Sequence, residues 1–155
     1  MLVREVLLEG VYVASPSMEP TLPVGTHYFV NKLSPFFRDF RRGEIVVFPS
    51  PVSEQKDLLK RVIGLPGETI SIRNKKVFIN DAPLDEPYAI FKRKDEILMG
   101  DNIDPMTIPE GKYFVMGDNR DESGDSRDWK DAQTGAPIYF VEKEDIRGLL
   151  INVLE

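Results

Sequence analysis

Proline and glycine punctuate this chain so densely that no long helix fits between them. Twelve prolines and eleven glycines are spread over 155 residues, and each interrupts a helical ladder or closes an extended run. Between these stops lie short stretches rich in Val, Ile, Phe and Tyr, which suit pleated, half-buried strands. The pattern predicts strands at 10–14, 26–32, 43–49, 58–64, 68–73, 75–80, 112–117 and 145–154. Asn80-Asp81 and Pro66-Gly67 read as turns, and Arg42-Gly43 opens a strand after a loop. No segment holds a long apolar period of 3.6, and there is no internal repeat, so the expected fold class is mainly β. Residues 81–110 differ: Pro83, Pro87, Pro105 and Pro109 fall among charges with little alternation. They read as a hairpin and excursion, a reduced second subdomain inserted into a core of 1–80 and 111–155.

The length suits one domain with an ordinary hydrophobic core. With no cysteine there is no disulfide, thiol nucleophile or thiolate metal site. The single histidine, His27, rules out a two-histidine zinc site, and its run Thr26-His27-Tyr28-Phe29-Val30 reads as an ordinary strand. A net charge of −6 offers no general basic surface for phosphate backbones, so nucleic acid is not an expected partner. No stretch reaches the ~20 apolar residues that span a bilayer. Met1-Leu2-Val3-Arg4-Glu5 lacks the basic start and apolar core of a signal peptide.

Three runs carry the chemistry. Ser15-Pro16-Ser17-Met18-Glu19-Pro20-Thr21 puts a hydroxyl on a tight, proline-flanked turn. Leu58-Leu59-Lys60-Arg61-Val62-Ile63 places one amine inside an apolar strand, with Lys60 and Val62 on one face and Leu59 and Arg61 on the other. Gly117-Asp118-Asn119-Arg120-Asp121-Glu122-Ser123-Gly124-Asp125-Ser126-Arg127 is a polar loop. A serine hydroxyl attacks well only when a nearby base removes its proton. A lysine amine does so when desolvation brings its pKa from ~10.4 down toward neutrality. Taken singly, Ser17 fits common turn chemistry and Lys60 fits an edge-strand lysine pointing to water. The polar loop does not suit calcium: with Gly124 at the sixth loop position, Arg127 and Lys130 fall where an EF-hand needs oxygen ligands.

In this order the three runs resemble the boxes of bacterial type I signal peptidases, serine proteases with a Ser-Lys dyad, over about residues 6–129. The resemblance implies two packed antiparallel sheets and an endopeptidase that removes signal peptides from exported preproteins after small residues, typically Ala-x-Ala, without metal or cofactor. It implies Ser17 as nucleophile and Lys60 as general base. Ser15 and the Ser17 N–H then form the oxyanion hole, Ser123 orients the lysine amine, and Asp125 with Arg127 makes a supporting salt bridge. Asp118, Asn119 and Arg120 would hold the turn that delivers Ser123. The signal peptide would bind as an added extended strand, with Val11, Val13, Met18, Leu22 and Leu59 near its pockets. One departure is Pro16, where the family commonly has glycine. The resemblance further implies a cell-membrane location, catalytic region on the extracytoplasmic side, with the N-terminal anchor absent from this chain.

Pro35-Phe36-Phe37-Arg38-Asp39-Phe40-Arg41-Arg42 alternates aromatics with arginines. It reads either as a membrane-surface contact through Phe36, Phe37 and Phe40 or as a hairpin tip folding those rings inward. Two other functions use similar residues. A self-cleaving SOS-repressor-type regulator needs its own Ala-Gly or Cys-Gly scissile bond before the serine, which this sequence lacks. A catalytically silent peptide-binding module would have no use for an intact Ser17 and Lys60. Residues 130–142 are longer than the resemblance leads one to expect and carry no assigned role.

Overall fold

Ile45-Val46-Val47-Phe48 is β-branched or aromatic at every position, which suits a strand buried on both faces. It forms β3 (Ile45–Pro49) in the interior of a seven-stranded antiparallel sheet. The computed structural model describes residues 7–151, so Met1–Glu5 and the end of the predicted strand 145–154 lie outside it. In order across this sheet run β1 (Leu8–Tyr12), β2 (His27–Asn31), β11 (Gly148–Leu150), β3, β4 (Asp57–Gly64), β9 (Lys112–Met116) and β10 (Val141–Glu142). A second antiparallel sheet orders β7 (Ala82–Pro83), β6 (Lys76–Ile79), β5 (Thr69–Arg73) and β8 (Ile103–Thr107). The α-helix Ser34–Phe37, α1, is a single turn. No helix among the described residues is long and apolar enough to cross a membrane.

Alternation along β9 joins the two sheets. Tyr113 and Val115 enter one core with Phe40, Val46, Phe48, Val62, Trp129, Val141 and Ile146. Phe114 and Met116 enter a second with Ile63, Ile70, Ile72, Val77, Ile79 and Ile108. A third core gathers Val13, Met18, Leu22 and Ile45 under the first 3₁₀ turn.

The predicted strands fall within a few residues of those observed, and the Asn80-Asp81 turn joins β6 to β7 with both residues at positive φ. The grouping differs in one respect. Residues 69–79, assigned above to the large core, pair with 82–83 and 103–107, so the small sheet begins at Thr69. The reason is local. β5 and β6 are consecutive hairpin strands whose apolar faces complete the second core. Residues 130–142 fold back as a short ribbon, with Lys130 bridged to Pro137 and the Ile138 N–H donating to Trp129 O at 2.8 Å, and then supply β10.

Candidate active site

Pro16 has its φ preset for a helical turn and opens the 3₁₀ turn Pro16–Met18 just after β1. The Glu19 N–H closes the turn on Pro16 O at 3.0 Å, and Met18 anchors it from below in the third core. Ser17 is thereby fixed at the top of the turn, largely buried. Lys60 comes from β4, opposite Val46 in register. β9 pairs with β4 only from Arg61 onward, leaving the edge of β4 over Asp57–Lys60 without a strand neighbour on that side among the described residues. There the two side chains meet: the Lys60 Nζ donates to Ser17 Oγ at 2.7 Å, and Ser15 Oγ lies 3.1 Å from Ser17 Oγ.

Lys60 is only 3% exposed. Burial pulls its amine down to about 8, Asp125 opposes the shift, and Arg127 and Lys56 push further down. At pH 7 the amine is therefore protonated in most molecules, and the neutral form predominates only above about pH 8. That is a smaller shift than full neutrality at pH 7, because the Asp125 carboxylate stabilises the ammonium.

The polar loop is held from both sides. Asp125 is fully buried; its carboxylate accepts from Arg127 Nε and Nη2 at 2.8 Å each and from the Gly117 N–H at 2.9 Å. Arg127 holds this carboxyl below its usual range, and Asp125 in turn raises Arg127. Asp128, beside Asp125 and desolvated, is pushed up to about 6. Arg61 grips Asp118 with two bonds of 2.8 and 2.6 Å, and the Thr21 hydroxyl donates to the same carboxylate at 2.6 Å. From the β5–β6 turn of the small sheet Lys75 reaches Asp121 at 2.6 Å, and from the segment between β7 and β8 Glu86 pairs with Arg120 and the Ile90 N–H donates to Asp118 O at 2.9 Å. Gly117 has no room for a side chain: a Cβ would stand 2.5 Å from Ser17 O and 2.6 Å from Ser123 Cβ.

Ser17, Lys60, Ser15, Asp125 and Arg127 thus gather at one place. Ser123 sits beside them, but its hydroxyl donates to Asp125 Oδ2 at 2.8 Å, and no hydrogen bond joins it to Lys60. The bond places Ser123 on Asp125 and not on the amine. Val11, Val13, Met18 and Leu59 line a cleft of about 260 Å³ that contains Ser17 and Lys60. Leu22 does not line it; this side chain packs in the third core. Phe36 and Phe37 are 82% and 78% exposed, whereas Phe40 is 4% exposed and stacks edge-on against Tyr113. Phe40 is thus a core residue, because the chain turns inward at Phe40, whose N–H donates to the Tyr113 hydroxyl. The Arg61–Asp118 pair and the hydrogen bond from Asn119 Nδ2 to Pro16 O were not read from the sequence. Their partners lie far apart along the chain, and only the Gly117–Arg127 run signalled them.

A sequence profile of the family described as signal peptidase, peptidase S26, matches residues 1–154. The chain is similar to signal peptidase I P of Bacillus subtilis subsp. natto, 37% identical over 152 residues, covering 96% of this chain and 77% of the relative. It is also similar to a signal peptidase I of Bacillus amyloliquefaciens, 40% identical over 131 residues, covering 82% of this chain and 69% of the relative. Among solved structures, a signal peptidase I from Enterococcus faecalis V583 superposes with a TM-score of 0.55 at 33% identity, covering 74% of this chain and 98% of that one.

Proposed function

The chain belongs to the signal peptidase family, peptidase S26, and carries its signal peptidase I function; from that premise we propose that Ser17 and Lys60 cut the signal peptide after an Ala-x-Ala sequence. The observation that carries this reading is the 2.7 Å contact between Lys60 Nζ and Ser17 Oγ inside the cleft. The neutral fraction of Lys60 takes the Ser17 proton as Oγ attacks the scissile carbonyl. The oxyanion so formed is met by the Ser17 N–H and the Ser15 hydroxyl, which turns from Ser17 Oγ to the new charge. The Lys60 ammonium then protonates the leaving amine, and a water activated by the same amine releases the acyl group from Ser17.

Two strand edges that are unpaired among the described residues support binding of an extended peptide. β1 is the outermost strand of its sheet, β4 is free over Asp57–Lys60, and residues of both line the cleft. A peptide entering there gains backbone pairing on its edges, while its alternate side chains face Val11, Val13, Met18 and Leu59. Met18 and Val13 are already packed against the third core and leave little depth, which favours small residues. A synthetic peptide with one Ala-x-Ala site should be cut once, after the second alanine, as read by mass spectrometry. Phe at either alanine should slow cleavage about 10- to 100-fold, matching ~1–3 kcal/mol of overpacking. Equal cleavage of the Phe peptides would overturn the specificity.

The enzyme's place at an extracytoplasmic membrane surface belongs to the same proposal, with Phe36 and Phe37 resting among lipid headgroups. Arg38 and Arg42 are engaged with Glu44 and Glu68, so the rings and not these cations carry the contact. Phe36→Ser with Phe37→Ser should weaken binding to phosphatidylglycerol vesicles while leaving soluble-peptide cleavage and Tm unchanged. Unaltered vesicle binding with a lowered Tm would show the rings to be structural.

A further inference from the structure

A peptide group carries its carbonyl and its N–H on opposite sides of one rigid plane. The Pro16 carbonyl and the Ser17 N–H share such a plane, and the bond is trans. Whatever holds the Pro16 carbonyl therefore aims the Ser17 N–H the other way. Asn119 holds it: Nδ2 donates to Pro16 O at 3.0 Å. The backbone N–H of Asn119 donates to Ser17 O, also at 3.0 Å. One residue thus fixes the carbonyls on both sides of the serine, while the Ser17 N–H has no hydrogen-bond partner among the described residues.

The side chain of Asn119 is a poor choice for stability alone. It is fully buried, and its Oδ1 has no hydrogen-bond partner. A buried, unpartnered acceptor costs ~1–3 kcal/mol. The Glu19 N–H already satisfies Pro16 O within the turn. What the amide adds is a second, long-range constraint on the plane, 103 residues away in sequence.

We propose that Asn119 is a positioning residue that aims the Ser17 N–H at the oxyanion of the tetrahedral intermediate. The proposal rests on the reading of Ser17 as nucleophile. Asn119→Leu keeps the shape, removes the unpartnered oxygen and removes the grip on Pro16, so catalysis and stability part ways. Its kcat should fall about 10- to 100-fold, somewhat less than the ~10²- to 10³-fold of a deleted hole donor. KM should stay within about twofold and Tm should not fall. A peptide aldehyde, which adds to a serine hydroxyl to give an oxyanion, should lose affinity by the same factor as kcat/KM. The midpoint of the pH-rate profile, set by Lys60, should stay where it is in the wild type.

Asn119→Ala, measured below its own Tm, repeats the test if the leucine variant does not fold. A folded variant with kcat within twofold of wild type would overturn the proposal, as would a loss confined to KM or an aldehyde affinity left intact. Ser17→Ala separates the two readings. If that variant is active, the dyad itself falls. If it is inactive while Asn119→Leu is unimpaired, only the positioning role falls.

Discussion

Replacing Ser17 by Ala or Lys60 by Met is expected to lower kcat/KM on the order of 10⁴-fold or more if the proposed dyad holds, because a nucleophile and its base work as one unit and neither retains much value alone. Retention of more than about a tenth of wild-type kcat/KM by either folded variant would exclude the dyad. The two substitutions differ in what they do to the fold. Lys60 titrates near 8 in the folded chain, against a reference value of 10.5. The unfolded chain therefore binds more protons between those values, and stability rises with pH from about 8 to about 10.5. Below pH 8 the full cost of burying the ammonium is present, ~3 kcal/mol. Lys60→Met should recover part of this at pH 7 despite being inactive. The gain should shrink by ~2 kcal/mol at pH 10. Denaturant melts at the two pH values check it, and an equal difference at both would mean an ordinary, solvated lysine. The same titration predicts that wild-type kcat/KM rises with pH up to about 8 and then levels.

Asp125→Asn is expected to cost ~3–5 kcal/mol of stability, the usual consequence of leaving one member of a buried ion pair alone. Arg127 would keep its charge in a site that is 8% exposed, and the Ser123 hydroxyl would lose its carboxylate acceptor. Because Asp125 raises the Lys60 pKa, its loss should also move the midpoint of the pH-rate profile below the wild-type value near 8. Asp125→Leu combined with Arg127→Met should recover most of the stability, since neither charge then remains buried. A single Asp125→Asn variant that melts within ~1 kcal/mol of wild type would show that solvent reaches and screens Arg127.

The strands were legible because their signal is local. β3, β6 and β9 present Val, Ile, Phe or Tyr in an unbroken run, β5 alternates Ile with polar residues, and β4 carries an apolar pair on each side of Lys60-Arg61. β8 was not legible: Ile103-Asp104-Pro105-Met106-Thr107 carries an acid and a proline. It is tolerated only because β8 lies at the edge of its sheet, where not every N–H must bond. β10 is two residues long, too short for a period. At the site, Ser17, Lys60, Ser15, Asp125 and Arg127 were visible through the order of three runs. Their distances, and the bond from Ser123 to Asp125, depend on how the loop folds over the serine turn. Phe40 was grouped with Phe36 and Phe37 in both readings because composition alone does not say which of three neighbouring rings turns inward.

Lys75, Glu86 and Ile90, from the small sheet and its excursion, hold the same loop that Asp118 and Asn119 bind to the serine turn. That attachment makes the excursion a part of the folding unit. Melting the small sheet would release Asp121, Arg120 and the Asp118 carbonyl together, and with them the backing of the Gly117–Arg127 loop. Local opening of the periphery and loss of the catalytic geometry are then one cooperative event, so a protease that nicks the excursion would silence the enzyme without touching its cleft.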